Sequence, residues 1–215
     1  MPDYFSTTIN ATTEAALERA MFLLGSSRRG RADDVIEWLD MELPVSPKNK
    51  DRLDLIGRLK KKGTFVICEL KFGNSYKPSC NPEFAANEVV QYYEMVRENL
   101  TFVTDQHHYT PNTDGIRGKE FEWEKVLGGK TELIVVANAA YWAYWLGRGF
   151  AVPRSGKAKN GIERKVRCYS IDIPFDYFEK QSKGAPYKPQ IDNDRLEVLD
   201  EDNHPSRQPD RRMHH

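Results

Sequence analysis

Residues 52–72, RLDLIGRLKKKGTFVICELKF, carry the strongest structural signal in the chain. Two segments rich in β-forming residues, 52–59 and 64–72, flank a polar turn of three lysines and a glycine, which predicts a β-hairpin. Side chains alternate along a strand, so Glu69 and Lys71 share one face of the second strand, and the other face is uniformly apolar. A fully buried structural strand does not normally carry a glutamate and a lysine in this way.

The length of the turn decides what faces these two residues. A two-residue turn at Lys61–Lys62 places Asp54 directly opposite Glu69, and a two-residue turn at Lys62–Gly63 places it opposite Lys71. In both registers the three side chains lie on one face of the hairpin, whereas a slip of one residue would reverse them. We therefore expect two carboxylates and a lysine to converge at one end of a sheet.

Two adjacent carboxylates repel each other unless a cation lies between them. The hard ion Mg²⁺, or Mn²⁺ in its place, binds such oxygen ligands, so we expect Asp54 and Glu69 to hold one, with the backbone carbonyl of Leu70 as a further ligand. A bound divalent ion lowers the pKa of a water molecule and neutralises charge on a phosphate. Lys71 is then expected to orient that water or to stabilise developing charge.

The combination of Asp54, the Glu69-Leu70-Lys71 triplet after fourteen intervening residues and a following helix resembles the PD-(D/E)xK nuclease superfamily. The resemblance implies an α/β (α+β) fold with the restriction-endonuclease-like αβββαβ core, a central mixed β-sheet flanked by helices, over roughly residues 12–173. It implies catalytic roles for Asp54, Glu69 and Lys71. It also implies that Gln91, on the helix after the second hairpin strand, joins them.

The sequence differs from the motif of the superfamily before Asp54 and offers several candidates for an additional acid. Leu53 precedes Asp54 at the position where the motif of the superfamily has proline. Some members add a glutamate from the first helix, and Glu14, Glu18 and Glu37 are competing candidates for that additional acid.

A chain of 215 residues is long enough for one domain. We expect a nuclease-like domain over residues 1–180, with an insertion over 104–130, and a polar, mobile C-terminal tail over 181–215. Apolar spacing, caps and turn residues predict helices over 12–24, 33–41 and 82–98, strands over 133–137 and 168–173, and a basic connector over 26–31.

Charge excludes a uniformly basic nucleic-acid-binding protein, because 32 Lys and Arg residues balance 32 Asp and Glu residues. Local basic loops can still contact a phosphate backbone without reading its sequence. The nucleic-acid-binding candidates are Lys60, Lys61, Lys62, Arg154, Lys157, Lys159, Arg164, Lys165 and Arg167.

Three scattered cysteines are too few for a disulfide framework and suit a reducing compartment. The N-terminal residues do not have the pattern of a signal peptide, and the longest apolar run is shorter than a membrane span. We therefore expect a cytoplasmic protein without a membrane partner.

The leading functional prediction is a metal-dependent nuclease that hydrolyses phosphodiester bonds, with DNA preferred to RNA only because DNA substrates are more frequent in the superfamily. Two alternatives stay open: a non-cleaving member of the same fold that binds nucleic acid or protein, and an unrelated α/β protein in which the triplet is accidental. A homodimer is also left open, since many endonucleases of this type cut both strands as dimers.

Overall fold

The computed structural model of the chain describes residues 14–30, 34–48, 51–73, 77–107, 126–128, 130–174, 177–178, 191–192 and 194–199. The helices are α1 (Glu14–Leu24), α2 (Pro82–Glu98), α3 (Leu100–His107) and α4 (Ala139–Leu146), with a 3-10 turn at Pro78–Cys80. The strands are β1 (Ser26–Arg29), β2 (Val35–Pro44), β3 (Arg52–Leu59), β4 (Phe65–Lys71), β5 (Glu132–Asn138), β6 (Ser155–Lys157), β7 (Glu163–Ile171) and β8 (Arg195–Val198). In these ranges, no helix has both the length and the apolar character needed to cross a membrane.

Seven strands form a closed mixed sheet in the order β5-β4-β3-β2-β1-β8-β7, and β7 pairs back to β5. β6 extends this ring by pairing antiparallel with β7. β4, β5 and β7 run parallel to one another, whereas the successive pairs β1–β2, β2–β3 and β3–β4 are antiparallel. The carboxyl ends of β4, β5 and β7 therefore lie at the same edge of the sheet.

The closure shows that the predicted fold class, an open restriction-endonuclease-like sheet flanked by helices, is wrong. Residues 26–29 belong to the segment expected to be a flexible connector, yet they form β1. Residues 195–198 belong to the expected tail, yet they form β8. Each strand spans only four residues, which is too short for an alternating pattern to be recognised. Because β1 and β8 pair with each other, they join the two ends of what would otherwise be an open sheet.

Residues 194–199 were expected to belong to a polar, mobile tail. They pack into the fold instead, because Leu196 is fully buried and pairs with Ile171 of β7. Many acidic residues surround this short strand, so the composition of the segment did not indicate that Leu196 is buried. Residues 181–190, 193 and 200–215 of that segment lie outside the described residues.

The helix predicted over 33–41 is also wrong, since residues 35–41 belong to β2. A β-bulge between Trp38 and Asp40 inserts Leu39 into the strand opposite β3. Ile36 and Leu39 have a helical spacing of three residues in the sequence, but in β2 their side chains enter different apolar clusters. Hydrogen bonding to β1 and β3 on both sides outweighs that local signal.

Several predicted elements are present. α1 matches the first predicted helix, β3 and β4 form the predicted hairpin, and α2 begins with Pro82 after its cap, where Asn81 Oδ1 accepts a hydrogen bond from Phe84 N at 2.8 Å. β7 starts five residues before the strand predicted from Cys168, inside the basic stretch. α3 covers the first positions of the expected insertion, and residues 108–125 lie outside the described residues.

Two apolar clusters hold the fold together, one on each face of the sheet. The apolar side of α1 packs in one cluster with the inward side chains of the ring, which include Trp38, Val66 and Leu196. α2 and α4 pack in the other cluster against Phe65 and Ile67. The alternation expected for β4 is therefore present, because its successive side chains enter different clusters.

The side chain of Arg29 connects β1 to β5 and β7 on the other side of the ring. Its side chain is buried, and Nη1 donates hydrogen bonds to Glu132 Oε2 of β5 at 2.6 Å and to the Tyr169 hydroxyl of β7 at 3.0 Å. Nη2 donates to Asp34 Oδ1 at 3.0 Å. A buried guanidinium needs such partners, so these contacts stabilise the closed arrangement.

Replacement of Leu196 tests whether β8 is part of the fold. Leu196→Ala should lower the free energy of unfolding by about 2–5 kcal/mol, because a buried leucine leaves a cavity. The control Val198→Ala lies on the same strand, where Val198 is 44% exposed, and should change that free energy by less than about 1 kcal/mol. Urea denaturation followed by circular dichroism measures both values. An equally small change in both variants would contradict the packing of β8 into the ring.

Candidate functional site

The register of the β3–β4 hairpin brings the predicted residues together. Leu55 pairs with Cys68 and Ile56 pairs with Ile67, which is the register of the two-residue turn that places Asp54 opposite Glu69. The ladder ends at the Leu55–Cys68 pair, and one residue further Asp54 Oδ2 accepts a hydrogen bond from Leu70 N at 2.7 Å. Asp54 is therefore held at the point where the two strands part.

Glu69 and Lys71 continue the face of β4 that packs against α2. Glu69 is 3% exposed and Lys71 is 7% exposed, and Lys71 Nζ lies 2.5 Å from Glu69 Oε1. The ammonium also lies 3.1 Å from Glu88 Oε2 of α2 and 3.3 Å from Glu14 Oε2 of α1. One buried cation thus binds carboxylates from three different elements at the carboxyl end of β4.

Burial and the neighbouring charges both shift the pKa values of the groups in this cluster. Burial raises the pKa of Asp54 to about 7, although Lys71 and the Leu70 N–H partly oppose the increase. Burial and then the charge of Asp54 raise the pKa of Glu69 well above its ordinary value. Burial alone would lower the pKa of Lys71, but the surrounding carboxylates, Glu69 first, outweigh it and raise that pKa. The lysine is therefore charged at neutral pH.

The second oxygen of Glu69 has no hydrogen-bond partner in the described part of the chain. Oε2 of Glu69 is inaccessible to solvent, and none of the described residues donates a hydrogen bond to it. The hydroxyl of Tyr141, in the first turn of α4, is likewise buried without a partner in the described part of the chain. Unpaired buried polar atoms are rare in proteins and often indicate a missing water molecule or ion.

The first helix supplies two of the three competing acids. Glu14 contacts Lys71, and Glu18 Oε1 accepts a hydrogen bond from Glu42 N at 3.0 Å. Glu42 has a positive φ of 47°, an uncommon conformation for a residue other than glycine. Burial and then Asp54 raise the pKa of Glu18 well above its ordinary value, which places Glu18 beside the cluster.

The third candidate acid lies elsewhere. Glu37 on β2 is paired with Arg58 at 3.0 Å and with Lys60 at 3.9 Å, at the turn end of the hairpin. Asp54 lies at the other end of β3, so Glu37 is not an additional acid of this site. The helix that was expected to carry Glu37 is replaced by β2.

Gln91 does not meet the predicted catalytic residues. Its Oε1 accepts a hydrogen bond from Lys159 N at 2.8 Å, and one turn earlier on α2, Asn87 Oδ1 accepts one from Lys157 N at 2.6 Å. The close approach requires glycine at position 156, where a Cβ atom would lie 2.0 Å from the Ala86 carbonyl oxygen. Gln91 therefore holds the β6–β7 hairpin against α2.

The acid that α2 brings to the cluster is Glu88, which sequence reasoning missed. Tyr92, one helical turn later, donates a hydrogen bond from its hydroxyl to Glu88 Oε1 at 3.1 Å. Burial, followed by the charges of Glu69 and Glu88, raises the pKa of Tyr92. Chain connectivity could have indicated Glu88, because α2 starts soon after β4 and its first turns must lie nearest the carboxyl end of that strand.

The two groups of predicted nucleic-acid-binding residues lie in different places. Lys60, Lys61 and Lys62 are exposed in the hairpin turn, separated from Asp54 by nearly the whole of β3, about 20 Å. In the other group, Arg164 pairs with Glu94, and Arg167 lies 3.5 Å from Glu132. The remaining side chains of that group are exposed on the β6–β7 hairpin, at Arg154, Lys157, Lys159 and Lys165.

The donor atoms present fit a hard divalent cation only in part. Among the described residues, no group of three or more His, Cys, Asp or Glu side chains is arranged to hold a metal ion. The pair Asp54 and Glu69 supplies two carboxylates, one with the unpaired buried Oε2, and the Leu70 carbonyl belongs to the same strand end. Such oxygen donors suit Mg²⁺ or Mn²⁺, which bind one or two carboxylates and complete their coordination with water.

Comparisons with known proteins do not identify a relative: no protein-family model, no curated protein and no solved structure matches this chain. The chemistry of the cluster must therefore be inferred from its own side chains.

The raised pKa of Asp54 predicts a pH dependence of stability. Between its unfolded pKa, near 3.8, and its folded pKa, about 7, the folded protein binds more protons than the unfolded chain. In EDTA, the free energy of unfolding should therefore fall by on the order of 2 kcal/mol as the pH rises from 4.5 to 7.5. Asp54→Asn keeps an acceptor for Leu70 N and should flatten this profile.

Urea denaturation at several pH values measures the dependence. The control is Asp172→Asn, which changes an exposed acid after β7 and should leave the profile as in the wild type. Identical slopes in the wild type and Asp54→Asn would contradict the raised pKa.

Proposed function

We propose that this protein is a metal-dependent nuclease that hydrolyses phosphodiester bonds, acting on DNA in preference to RNA. The observation that carries the proposal is the unpaired, buried Oε2 of Glu69, beside Asp54 and Lys71 at one strand end. A buried acceptor with no donor, in a cluster with excess negative charge, fits a site that binds a cation.

The carboxylates of Asp54 and Glu69 and the backbone carbonyl of Leu70 would hold Mg²⁺ or Mn²⁺. When bound, such an ion lowers the pKa of a water molecule and neutralises charge on a phosphate. Asp54 is positioned for this role because its hydrogen bond to Leu70 N fixes one oxygen at the point where β3 and β4 part. Glu14 and Glu18 add negative charge to the same place from α1.

Lys71 is the group that acts on the substrate. Its ammonium is charged at neutral pH, and it is fixed by carboxylates on three elements. A fixed, poorly solvated cation can donate a hydrogen bond to a phosphate oxygen and stabilise charge that develops during hydrolysis. The resemblance of Asp54 and Glu69-Leu70-Lys71 to the PD-(D/E)xK motif supports the same assignment, and it concerns the residues of the site, not the closed sheet.

The phosphate backbone would be bound by the β6–β7 hairpin. Asn87 holds Lys157 against α2, and the next helical residue, Glu88, contacts Lys71. Lys157 and Lys159 thus lie along α2 near Glu88. Lys165 is level with Glu132, toward the sheet edge at which the lysines of the β3–β4 turn lie. Lysine contacts of this kind bind phosphates without reading sequence.

One observation favours the alternative, a protein that binds nucleic acid or another protein without cutting. Lys71 already neutralises Glu69 at 2.5 Å, so the cluster can exist as an ion-pair network without a metal. The two functions differ in a cleavage assay over single- and double-stranded DNA and RNA, with Mg²⁺, Mn²⁺ or EDTA. Metal-dependent cleavage that is lost in Asp54→Asn and Glu69→Gln supports the nuclease. Binding without cleavage under every condition supports the alternative.

Replacement of Lys71 separates chemistry from binding. Lys71→Ala should lower the single-turnover cleavage rate at saturating enzyme about 10²-fold or more, the loss expected for one stabilising donor. Its nucleic-acid affinity should change much less, since one lysine makes few phosphate contacts. Lys60→Ala, in the exposed turn, is the control and should cut at the wild-type rate. A wild-type rate for Lys71→Ala would show that the triplet has no catalytic role.

Replacement of surface lysines tests the substrate path. Changing Lys157, Lys159 and Lys165 together to Gln should weaken DNA binding and flatten its salt dependence, by about 0.9 in the log–log slope for each duplex phosphate that the variant no longer neutralises. The matched triple variant, with Lys60, Lys61 and Lys62 changed to Gln, removes the same charge at the far end of the hairpin and should bind nearly as the wild type. Fluorescence anisotropy at several salt concentrations measures both. A larger loss of affinity in the second variant would place the substrate at the turn.

A further inference from the structure

We propose that Glu88 is a positioning residue that holds the Lys71 ammonium, so that Glu69 is free to bind the divalent cation. The inference rests on the proposed function, because it concerns the same metal. According to this inference, a residue of α2 influences the affinity for the metal, in addition to the residues of the triplet and its hairpin.

Lys71 competes with any metal for Glu69. Its Nζ lies 2.5 Å from Oε1 of that residue, and only Oε2 is without a partner among the described residues. A divalent cation bound by Glu69 would bring a second positive charge close to the ammonium, and like charges at short distance in a buried site repel strongly. For Glu69 to bind a metal, the Lys71 ammonium must therefore weaken its ion pair with Glu69 and strengthen its contacts with other carboxylates.

Those carboxylates are already in place. Glu88 Oε2 lies 3.1 Å from Nζ and Glu14 Oε2 lies 3.3 Å from it, so the ammonium can shift its hydrogen bonding without leaving the cluster. The side chain of Glu88 is 23% exposed, against 39% for Glu14. Glu88 is the less solvated partner, and its attraction for the lysine is the less screened of the two.

Glu88 is itself fixed in the orientation that this role needs. Its other oxygen, Oε1, accepts the hydrogen bond from the Tyr92 hydroxyl at 3.1 Å, one turn further along α2. α2 is in turn fixed at its start by Asn81, which caps it, and by packing of its apolar side against β4. Tyr92, Glu88 and Lys71 thus form a chain of contacts that leads from the helix to the site.

A double-mutant cycle on the full-length protein tests the inference, with the Kd of Mn²⁺ measured by isothermal titration calorimetry. Glu88→Gln should weaken Mn²⁺ binding about tenfold, within the range expected for outer partners of metal ligands. Lys71→Gln should tighten binding, because it removes the competitor for Glu69. In the Lys71→Gln background, Glu88→Gln should weaken binding by about twofold or less. Glu83→Gln, an exposed acid in the first turn of α2, is the control and should leave the Kd unchanged.

The outcomes distinguish this inference from the function on which it rests. Equal losses of affinity from Glu88→Gln in both backgrounds would overturn the inference, since Glu88 would then act without Lys71, while the metal site would stand. An absence of Mn²⁺ binding to the wild type would overturn both. If Lys71→Gln does not fold, Tyr92→Phe replaces it: a weakening smaller than that of Glu88→Gln supports the inference, and an unchanged Kd in both variants overturns it.

Discussion

The register of the β3–β4 hairpin is the constraint on which the site depends. Pairing of Leu55 with Cys68 places Asp54 and Glu69 at corresponding positions, and the two-residue period of the strand places Lys71 on the same face. The apolar side chains of β4 enforce this register, because they are buried on both faces of the sheet. A slip of one residue would exchange the two faces, which would bury Glu69 among the inward side chains of the ring and remove the carboxylate pair.

Burial then determines what the cluster can do. Carboxylates without water are costly unless a cation compensates them, and the only ammonium in contact with Glu69 among the described residues is that of Lys71. This one cation contacts three carboxylates, and Asp54 accepts its hydrogen bond from Leu70 N instead. Burial above all, with neighbouring carboxylates adding to it, raises the pKa values of Asp54 and Glu69, and Glu69 Oε2 has no donor among the described residues. A divalent cation would relieve both consequences. The uncompensated negative charge of the buried carboxylates destabilises the cluster by itself, and the same charge would favour the binding of a cation.

Sequence reasoning succeeded where the signal was local and failed where it depended on distant pairing. The alternation of 64–72 predicted the hairpin, the possible turns left two registers of which one forms, and Asn81-Pro82 predicted the start of α2. The closure of the sheet was not predictable from β1 and β8, because each is four residues long and is stabilised by its partner strands. In β2, Ile36 and Leu39 have the three-residue spacing of a helix, although their side chains lie in different apolar clusters. On α2, Gln91 was chosen for its similarity to the superfamily, although the turn that faces Lys71 is the one that carries Glu88.

The closed sheet and the cluster are connected through α1. The apolar side of this helix packs with the inward side chains of the ring, in the same cluster as Leu196 of β8. Glu14 and Glu18 are four residues apart, so they lie on one side of the helix and reach the site together. Glu14 contacts Lys71, while Glu18 accepts the N–H of Glu42, a residue with positive φ in β2. Without β1 and β8 the packing surface of α1 would be incomplete, and its two acids would be less firmly placed. The short strands that the sequence does not reveal therefore help to position acids that the resemblance had suggested for the site.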